Sequence, residues 1–343
     1  MLSDYWVITL LLAQFFSLLL ISNATWFAYR IIRGWSREMA DERQINLERQ
    51  TYLIASICQF VLIFQIGGLV IFLQTANLHL PQIIKGAMCA TGTLGAVPGG
   101  YTILYLKAGG VLLYALFLMM NFLDNQEPNY PLTPRKYFLL FPILALQLFD
   151  FYYNWLYFSG LEPDIIATCC SVSFMASQAQ PGFLGATTDY ISYYLLLWRM
   201  TFLCLFVATF LSWIFQKSTA PRSRHWTASW WSLLHFLGAG MFVYTSIYTL
   251  KHFFVKYIYG LPTHNCLFDI FWAKYYYIGF GLFGAYYGVL LSSLFLWVIR
   301  LFGSELKQDL VPMIKKAQTI HLLSLLFAFI IPLLYWILWR GNL

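Results

Sequence analysis

The chain has 343 residues, of which 60% are hydrophobic, 20% are aromatic and only 10% are charged. A soluble domain carries about a quarter charged residues, so this composition, with a mean hydropathy of +0.66, excludes a water-soluble globule, a disordered chain and a small disulfide scaffold. The remaining class is a polytopic membrane protein, for which the bilayer is the solvent.

Eight stretches are long and apolar enough to cross a bilayer, which takes about 20 residues. In chain order they lie near residues 5–32, 52–74, 101–123, 137–158, 191–215, 230–254, 275–300 and 320–339. The first is interpreted as a retained span, because no basic segment or small-residue cleavage site accompanies it. The third departs most from the pattern, since it follows a Gly/Pro run and contains Lys107. The sequence therefore predicts an all-α fold with one helical transmembrane domain over residues 1–343.

Basic residues are concentrated in alternate connections, which predicts the orientation of the chain. Fourteen lie in the connections after spans one, three, five and seven, and five lie on the opposite side. The first set is therefore expected in the cytoplasm, with both termini outside it. The formal net charge of +7 reflects this bias, so we expect lipid and no nucleic acid as a partner. A bacterial cytoplasmic membrane is the expected location.

This orientation assigns each long connection to a side. Residues 33–50 mix acidic and basic side chains with few apolar ones and predict a charged cytoplasmic hairpin with helical pairing. Residues 75–100, 159–190 and 256–274 are the predicted extracytoplasmic loops. We expect other membrane or periplasmic redox proteins to be the partners on the outer side.

The outer loops share a set of sulfur and imidazole side chains. Each contains cysteine, whereas the predicted cytoplasmic loops contain none, and the set is Cys89, Cys169, Cys170, Cys266, His264, Met88 and His79. The two other cysteines, Cys58 and Cys204, lie within spans, where cysteine usually acts as a small buried hydrophobic residue.

This distribution has three interpretations. An oxidising outer compartment favours two structural disulfides that connect the loops. Thiolate, thioether and imidazole are also the ligands that Cu(I) selects, and a Cys/His set can hold zinc. Alternatively, the adjacent Cys169 and Cys170 exchange thiols with a partner protein. None of the spacings matches a strong metal-binding signature, so the sequence leaves all three open.

Three ionisable residues lie within the predicted spans, namely Lys107, Asp150 and Arg199. At about 1.5 Å per residue, all three are expected roughly 9–12 Å below the outer surface. A charge at this depth faces a protein interior, a cavity or a partner. We expect either an ion pair of Asp150 with Lys107 or Arg199, or a polar floor that holds an anion or conducts protons.

Histidines within spans can also hold haem b between facing helices. His235 and His321 lie near the inner ends of the sixth and eighth spans and are the candidate pair. The dense aromatic residues at span ends are typical of interfacial belts.

The chain contains no nucleophile elbow, phosphate loop, zinc-protease helix or EF-hand loop, so a non-enzymatic protein is expected. The leading hypothesis is a membrane protein whose outer Cys/Met/His set handles copper or exchanges thiols for an extracytoplasmic redox system. The alternative is a structural or electron-transfer subunit of a membrane respiratory complex, with loop cysteines in disulfides.

Overall fold

The computed structural model describes residues 1–35, 42–127, 129–162, 164, 189–215, 225–260, 266–303, 305–306 and 309–341. Most of these residues are helical and none is in a strand, and eight of the helical segments are long and apolar enough to cross a membrane. This confirms the predicted all-α polytopic fold, and such helices place the protein in contact with lipid. The orientation of the termini stays a prediction.

The chain divides into two compact units, and the first is Met1–Thr168. Its four long helices form a closed ring in which α1 contacts α2, α2 contacts α4, α4 contacts α6, and α6 contacts α1. Two short helices, α3 and α5, lie in the connections. The helices are α1 (Tyr5–Gly34), α2 (Glu42–Gln74), α3 (Ala90–Ala96), α4 (Gly100–Asp124), α5 (Thr133–Phe138) and α6 (Leu140–Gly160).

The second unit is Cys169–Leu343, and its long helices form a ring of the same kind. Here α7 contacts α8, α8 contacts α10, α10 contacts α11, and α11 contacts α7. The helices are α7 (Asp189–Ile214), α8 (His225–Thr249), α9 (Val255–Tyr259), α10 (Ile278–Phe302) and α11 (Val311–Gly341).

The two units repeat one arrangement of four long helices, and the third long helix of each carries nearly the same sequence. The segment Gly110–Leu118 reads GVLLYALFL, and Gly288–Leu296 reads GVLLSSLFL, so seven of the nine positions are identical. Because the repeated segment occupies the corresponding helix in both rings, α4 and α10 are equivalent elements.

The glycine that opens this segment allows helices to approach closely in both units. A Cβ atom on Gly110 would lie 2.8 Å from Gln65 Nε2 on α2 and 3.2 Å from a methyl group of Leu146 on α6. A Cβ atom on Gly288 would overlap Ser324 Oγ and lie 3.0 Å from Ser324 Cβ on α11. Small residues serve this purpose in membrane helix packing.

The second long helix of each unit ends in a π-helical turn, Thr75–His79 after α2 and Leu250–Phe254 after α8. Such turns are often found at functional sites. A cysteine follows each turn before the third long helix begins: Cys89 precedes α4 by eleven residues (from 89 to 100), and Cys266 precedes α10 by twelve (from 266 to 278).

The entry into α4 accounts for the Gly/Pro run of the third span. Gly99 has φ +107°, which favours glycine, and a Cβ atom on Gly100 would lie 2.5 Å from the carbonyl oxygen of Leu94. The chain must therefore turn sharply at this point, and it does so with two glycines.

Candidate functional site

A network of polar side chains lies in the interior of the first unit, with members from all four long helices. Lys107 Nζ lies 3.0 Å from Asp150 Oδ2 and donates to Gln14 Oε1 at 3.0 Å. Gln14 Nε2 donates to the same carboxylate oxygen, and Asn154 Nδ2 donates to Asp150 Oδ1 at 2.8 Å. From α2, Gln65 Nε2 donates to the backbone carbonyl of Lys107 at 3.5 Å.

The network is electrically neutral, and both oxygens of its carboxylate accept hydrogen bonds. The side chains of Lys107 and Asp150 are 2% and 0% exposed. Of the two cations predicted as partners for Asp150, the structure places Lys107 against it. Arg199 lies in the second unit, where it is exposed on α7. Its predicted part in holding an anion or conducting protons stays a prediction.

Cys89 lies in a loop of the first unit that the π-helical turn holds in place. Asn77, inside that turn, accepts a hydrogen bond from the Ala90 N–H at 3.1 Å. Thr93 Oγ1 donates at 2.7 Å to a backbone carbonyl of the turn. These contacts fix the residues around Cys89, which is buried, while the neighbouring Met88 is exposed.

His79 contacts the start of the first span. Its Nε2 lies 2.7 Å from Asp4 Oδ2, and Asp4 also caps α1 by accepting from the N–H groups of Trp6 and Val7. Burial alone would raise the pKa of the Asp4 carboxyl, but the hydrogen bonds from His79 and the backbone outweigh it and hold the pKa below its usual value. His79 therefore belongs to an ion-pair site, and its role as a metal ligand stays a prediction.

Cys266 lies in the second unit between α9 and α10, and it is buried. The Tyr259 hydroxyl donates to its backbone carbonyl at 2.6 Å, which fixes the loop to α9. The Cys266 Sγ and a carboxylate oxygen of the buried Asp269 lie within 4.8 Å of each other. A thiol and a carboxylate at this distance can act on the same ion or proton.

The remaining predicted ligands, Cys169, Cys170 and His264, lie outside the described residues. Their participation in a disulfide, a metal site or a thiol relay stays a prediction.

His235 and His321 come together inside the second unit, with ring centroids 4.9 Å apart and an interplanar angle of 49°. A haem ligated by both would have to lie between them, since each nitrogen would bind its iron from one side. Imidazoles in ring contact leave no space for a porphyrin, so these residues do not fit a shared haem and we do not propose one.

Thr209 and Ser292 extend the His235–His321 pair into a polar layer of four residues. Each long helix of the second unit contributes one of them. Thr209 Oγ1 on α7 lies 3.4 Å from His235 Nε2, and Ser292 Oγ on α10 lies 2.9 Å from His321 Nδ1. Thr209, Ser292 and His321 are buried, and His235 is partly exposed.

Asp4, Asp269 and Ser292 are not among the site residues predicted from the sequence. The repeated nine-residue segment was the available signal for Ser292, because it aligns this residue with Tyr114 of the first unit. Both are buried, and both hydroxyls contact a side chain on the fourth long helix of their unit, Gln147 for Tyr114 and His321 for Ser292. Asp4 and Asp269 had no comparable signal.

Comparisons with protein-family models, curated proteins and solved structures find no match.

Proposed function

We propose that the protein handles a soft metal ion, with Cu(I) as the first candidate, through thiols at the ends of the helices that the charge bias predicts to face outward. The observation that carries the proposal is the repeated position of Cys89 and Cys266. Each is a buried cysteine in the connection between the second and third long helices of its unit, after a π-helical turn.

The chemistry of the side chains around these thiols supports the proposal. Metal binding requires the thiolate, so a bound proton must leave the cysteine. The Asp269 carboxylate lies within 4.8 Å of Cys266 Sγ and can receive that proton or bind the ion itself. A buried thiolate requires a compensating positive charge, which a metal ion supplies. In the first unit, Met88 offers an exposed thioether beside Cys89, and Cu(I) favours such sulfur ligands.

The predicted ligands Cys169, Cys170 and His264 are included in the proposal on the basis of sequence alone. His79 is a weaker candidate for direct ligation, because its Nε2 already contacts Asp4 at 2.7 Å. Thiol exchange with a redox partner is the competing use of the same cysteines.

The test is the copper content of the purified full-length protein after loading with Cu(I) under reducing conditions. We expect Cys89→Ser, Cys266→Ser and the double substitution Cys169→Ser/Cys170→Ser each to lower the copper bound per chain. The matched controls are Cys58→Ser and Cys204→Ser, which remove thiols inside spans and should retain the wild-type content. Unchanged copper in all three test variants would overturn the proposal.

A cysteine oxidation map of the untreated protein separates the proposal from the competing uses. Alkylation followed by mass measurement should find the outer thiols reduced or metal-protected. Two quantitative disulfides among the outer cysteines would contradict metal handling and support the structural interpretation.

A further inference from the structure

The hydrogen bonds of Ser292 assign the proton on the His321 ring. The hydroxyl has one hydrogen, which it donates to a backbone carbonyl one turn earlier, at Gly288, so its oxygen accepts from His321 Nδ1. The same Nδ1 lies 3.2 Å from the carbonyl oxygen of Val289, which can only accept. Nδ1 therefore carries the proton, and Nε2 holds a lone pair.

The lone pair on His321 Nε2 is buried and has no hydrogen-bond partner among the described residues. The side chain is 0% exposed. Buried polar atoms nearly always have a partner, and an exception points to an absent water, ion or ligand. The fixed Nδ1–H is also what holds an imidazole in one orientation when its other nitrogen binds a ligand.

His235 brings a second imidazole to the same layer. The Thr209 hydroxyl donates to the carbonyl oxygen of Leu205 at 2.8 Å, and its oxygen lies 3.4 Å from His235 Nε2. A neutral imidazole holds one lone pair in either tautomer. Two neutral imidazoles thus bring two acceptor lone pairs and no charge to the layer.

Charge balance decides which ligand suits this site. No third His, Cys, Asp or Glu in the described part of the chain completes a metal site with the two imidazoles. Two neutral ligands would leave the full charge of a metal cation uncompensated within the membrane, which is costly. A neutral molecule that donates hydrogen bonds has no such cost.

The surroundings favour an aromatic ligand that enters from the lipid. His235 is partly exposed on a membrane-spanning helix. On α7, Phe206 and Trp213 lie three residues before and four after Thr209, on the same side of the helix. They belong to a row in which Phe206 stacks on Phe210 at 5.9 Å and Phe210 on Trp213 at 6.4 Å.

We propose that His321 Nε2 accepts a hydrogen bond from the hydroxyl group of a membrane-soluble aromatic ligand of the quinol class, with the partly exposed His235 as the neighbouring polar side chain. Ser292 is a positioning residue that holds the His321 ring. This site is independent of the proposed thiol function, and it would suit the alternative function as a respiratory subunit.

The test uses full-length protein in detergent and two probes, duroquinol and its dimethyl ether, titrated by calorimetry. The ether keeps the ring but has no hydroxyl hydrogen. We expect saturable duroquinol binding, with the ether and the His321→Leu variant each about tenfold weaker or worse, because the buried hydrogen bond is lost. His321→Gln restores an acceptor and should recover part of the affinity. His252→Gln is the control for loss of a histidine elsewhere.

The comparison of the two probes on wild-type protein does not depend on any variant folding. Equal binding of duroquinol and its ether would overturn the proposal, as would unchanged affinity in folded His321→Leu protein. No saturable binding to the wild type would also overturn it and would leave an ordered water as the partner of Nε2.

Discussion

Lys107 Nζ and Asp150 Oδ2 lie 3.0 Å apart in the interior of the first unit, with both side chains almost completely buried. Removing one partner of such a pair leaves a charge that neither water nor protein compensates, whereas removing both does not. The pair therefore joins α4 to α6 in a way that either single substitution would disrupt.

We expect Lys107→Met to lower the free energy of unfolding by about 3–5 kcal/mol. The double substitution Lys107→Met/Asp150→Leu should lose less than either single change, because no charge is then left buried. Chemical unfolding in mixed micelles measures all three variants. The control is Lys85→Met, which removes an ion pair with Asp164 whose side chains are 68% and 85% exposed, and it should cost at most about 1 kcal/mol. A double variant as unstable as the sum of its singles would contradict this account.

The Asp4–His79 contact predicts a loss of stability in acid. The pKa of Asp4 is lower in the folded chain than its usual value, so the carboxylate stabilises the fold above the unfolded pKa of about 3.9. That contribution is lost as the pH falls through the lower, folded pKa. Asp4→Asn keeps a side chain that can cap the helix, so it removes only the charge. The difference in free energy of unfolding between the wild type and Asp4→Asn should therefore disappear as the pH falls below about 4.

Asp4→Ala provides the comparison, since it removes the cap as well. It should cost about 1 kcal/mol at all pH values in addition to the loss seen for Asp4→Asn. Thermal unfolding over a pH series measures both. A gap between wild type and Asp4→Asn that widens towards acid would be evidence against the proposed ion pair.

The glycines of the repeated segment predict packing defects of different size in the two units. Gly288→Ala should destabilise its unit by about 1–3 kcal/mol, since the added methyl group meets Ser324 Oγ and lies 3.0 Å from Ser324 Cβ. Gly110→Ala should cost less, because the nearest atom, Gln65 Nε2 at 2.8 Å, is the end of a side chain that can move. Gly109→Ala and Gly284→Ala are matched controls, because nothing lies within 4 Å of the added Cβ atom. They should be neutral or gain up to about 1 kcal/mol from helix propensity. Equal stability of all four variants would show that the close approach is unimportant.

The charge bias predicts which end of the first unit faces outward. Met88 is exposed in the connection that precedes α3 and α4, and Asn125 is exposed directly after α4. Met88→Cys and Asn125→Cys therefore report on the two sides in a chain whose own cysteines are replaced by serine. A membrane-impermeant maleimide added to intact cells should label Met88→Cys only. Inverted vesicles should give the opposite result, and a reversed pattern would invalidate the predicted topology.

The number and class of spans could be predicted because a bilayer imposes one length and one composition on every spanning helix. The pairing of Asp150 was narrowed to Lys107 or Arg199, but the choice between them required the packing of α4 against α6. The contribution of Gln14 could not be foreseen, since an uncharged polar residue in an apolar helix does not show which neighbour it faces.

The outer loops were harder to predict, because their backbone follows no regular period. The π-helical turn Thr75–His79 extends helical structure into a segment predicted as a loop, whereas Leu250–Phe254 forms the end of the predicted sixth span. The contact of His79 with Asp4 joins residues 75 positions apart, and sequence spacing does not report such a distance. The tautomer of His321 depends on a single hydroxyl hydrogen, which only the geometry around Ser292 assigns.

The nine-residue segment shared by α4 and α10 also allows the interiors of the two units to be compared position by position. Its opening glycine is the same in both units, whereas the buried fifth position differs. At this position Tyr114 contacts an amide and Ser292 orients an imidazole. Exchanging these two side chains between the units would show how strongly each interior depends on its own polar partner.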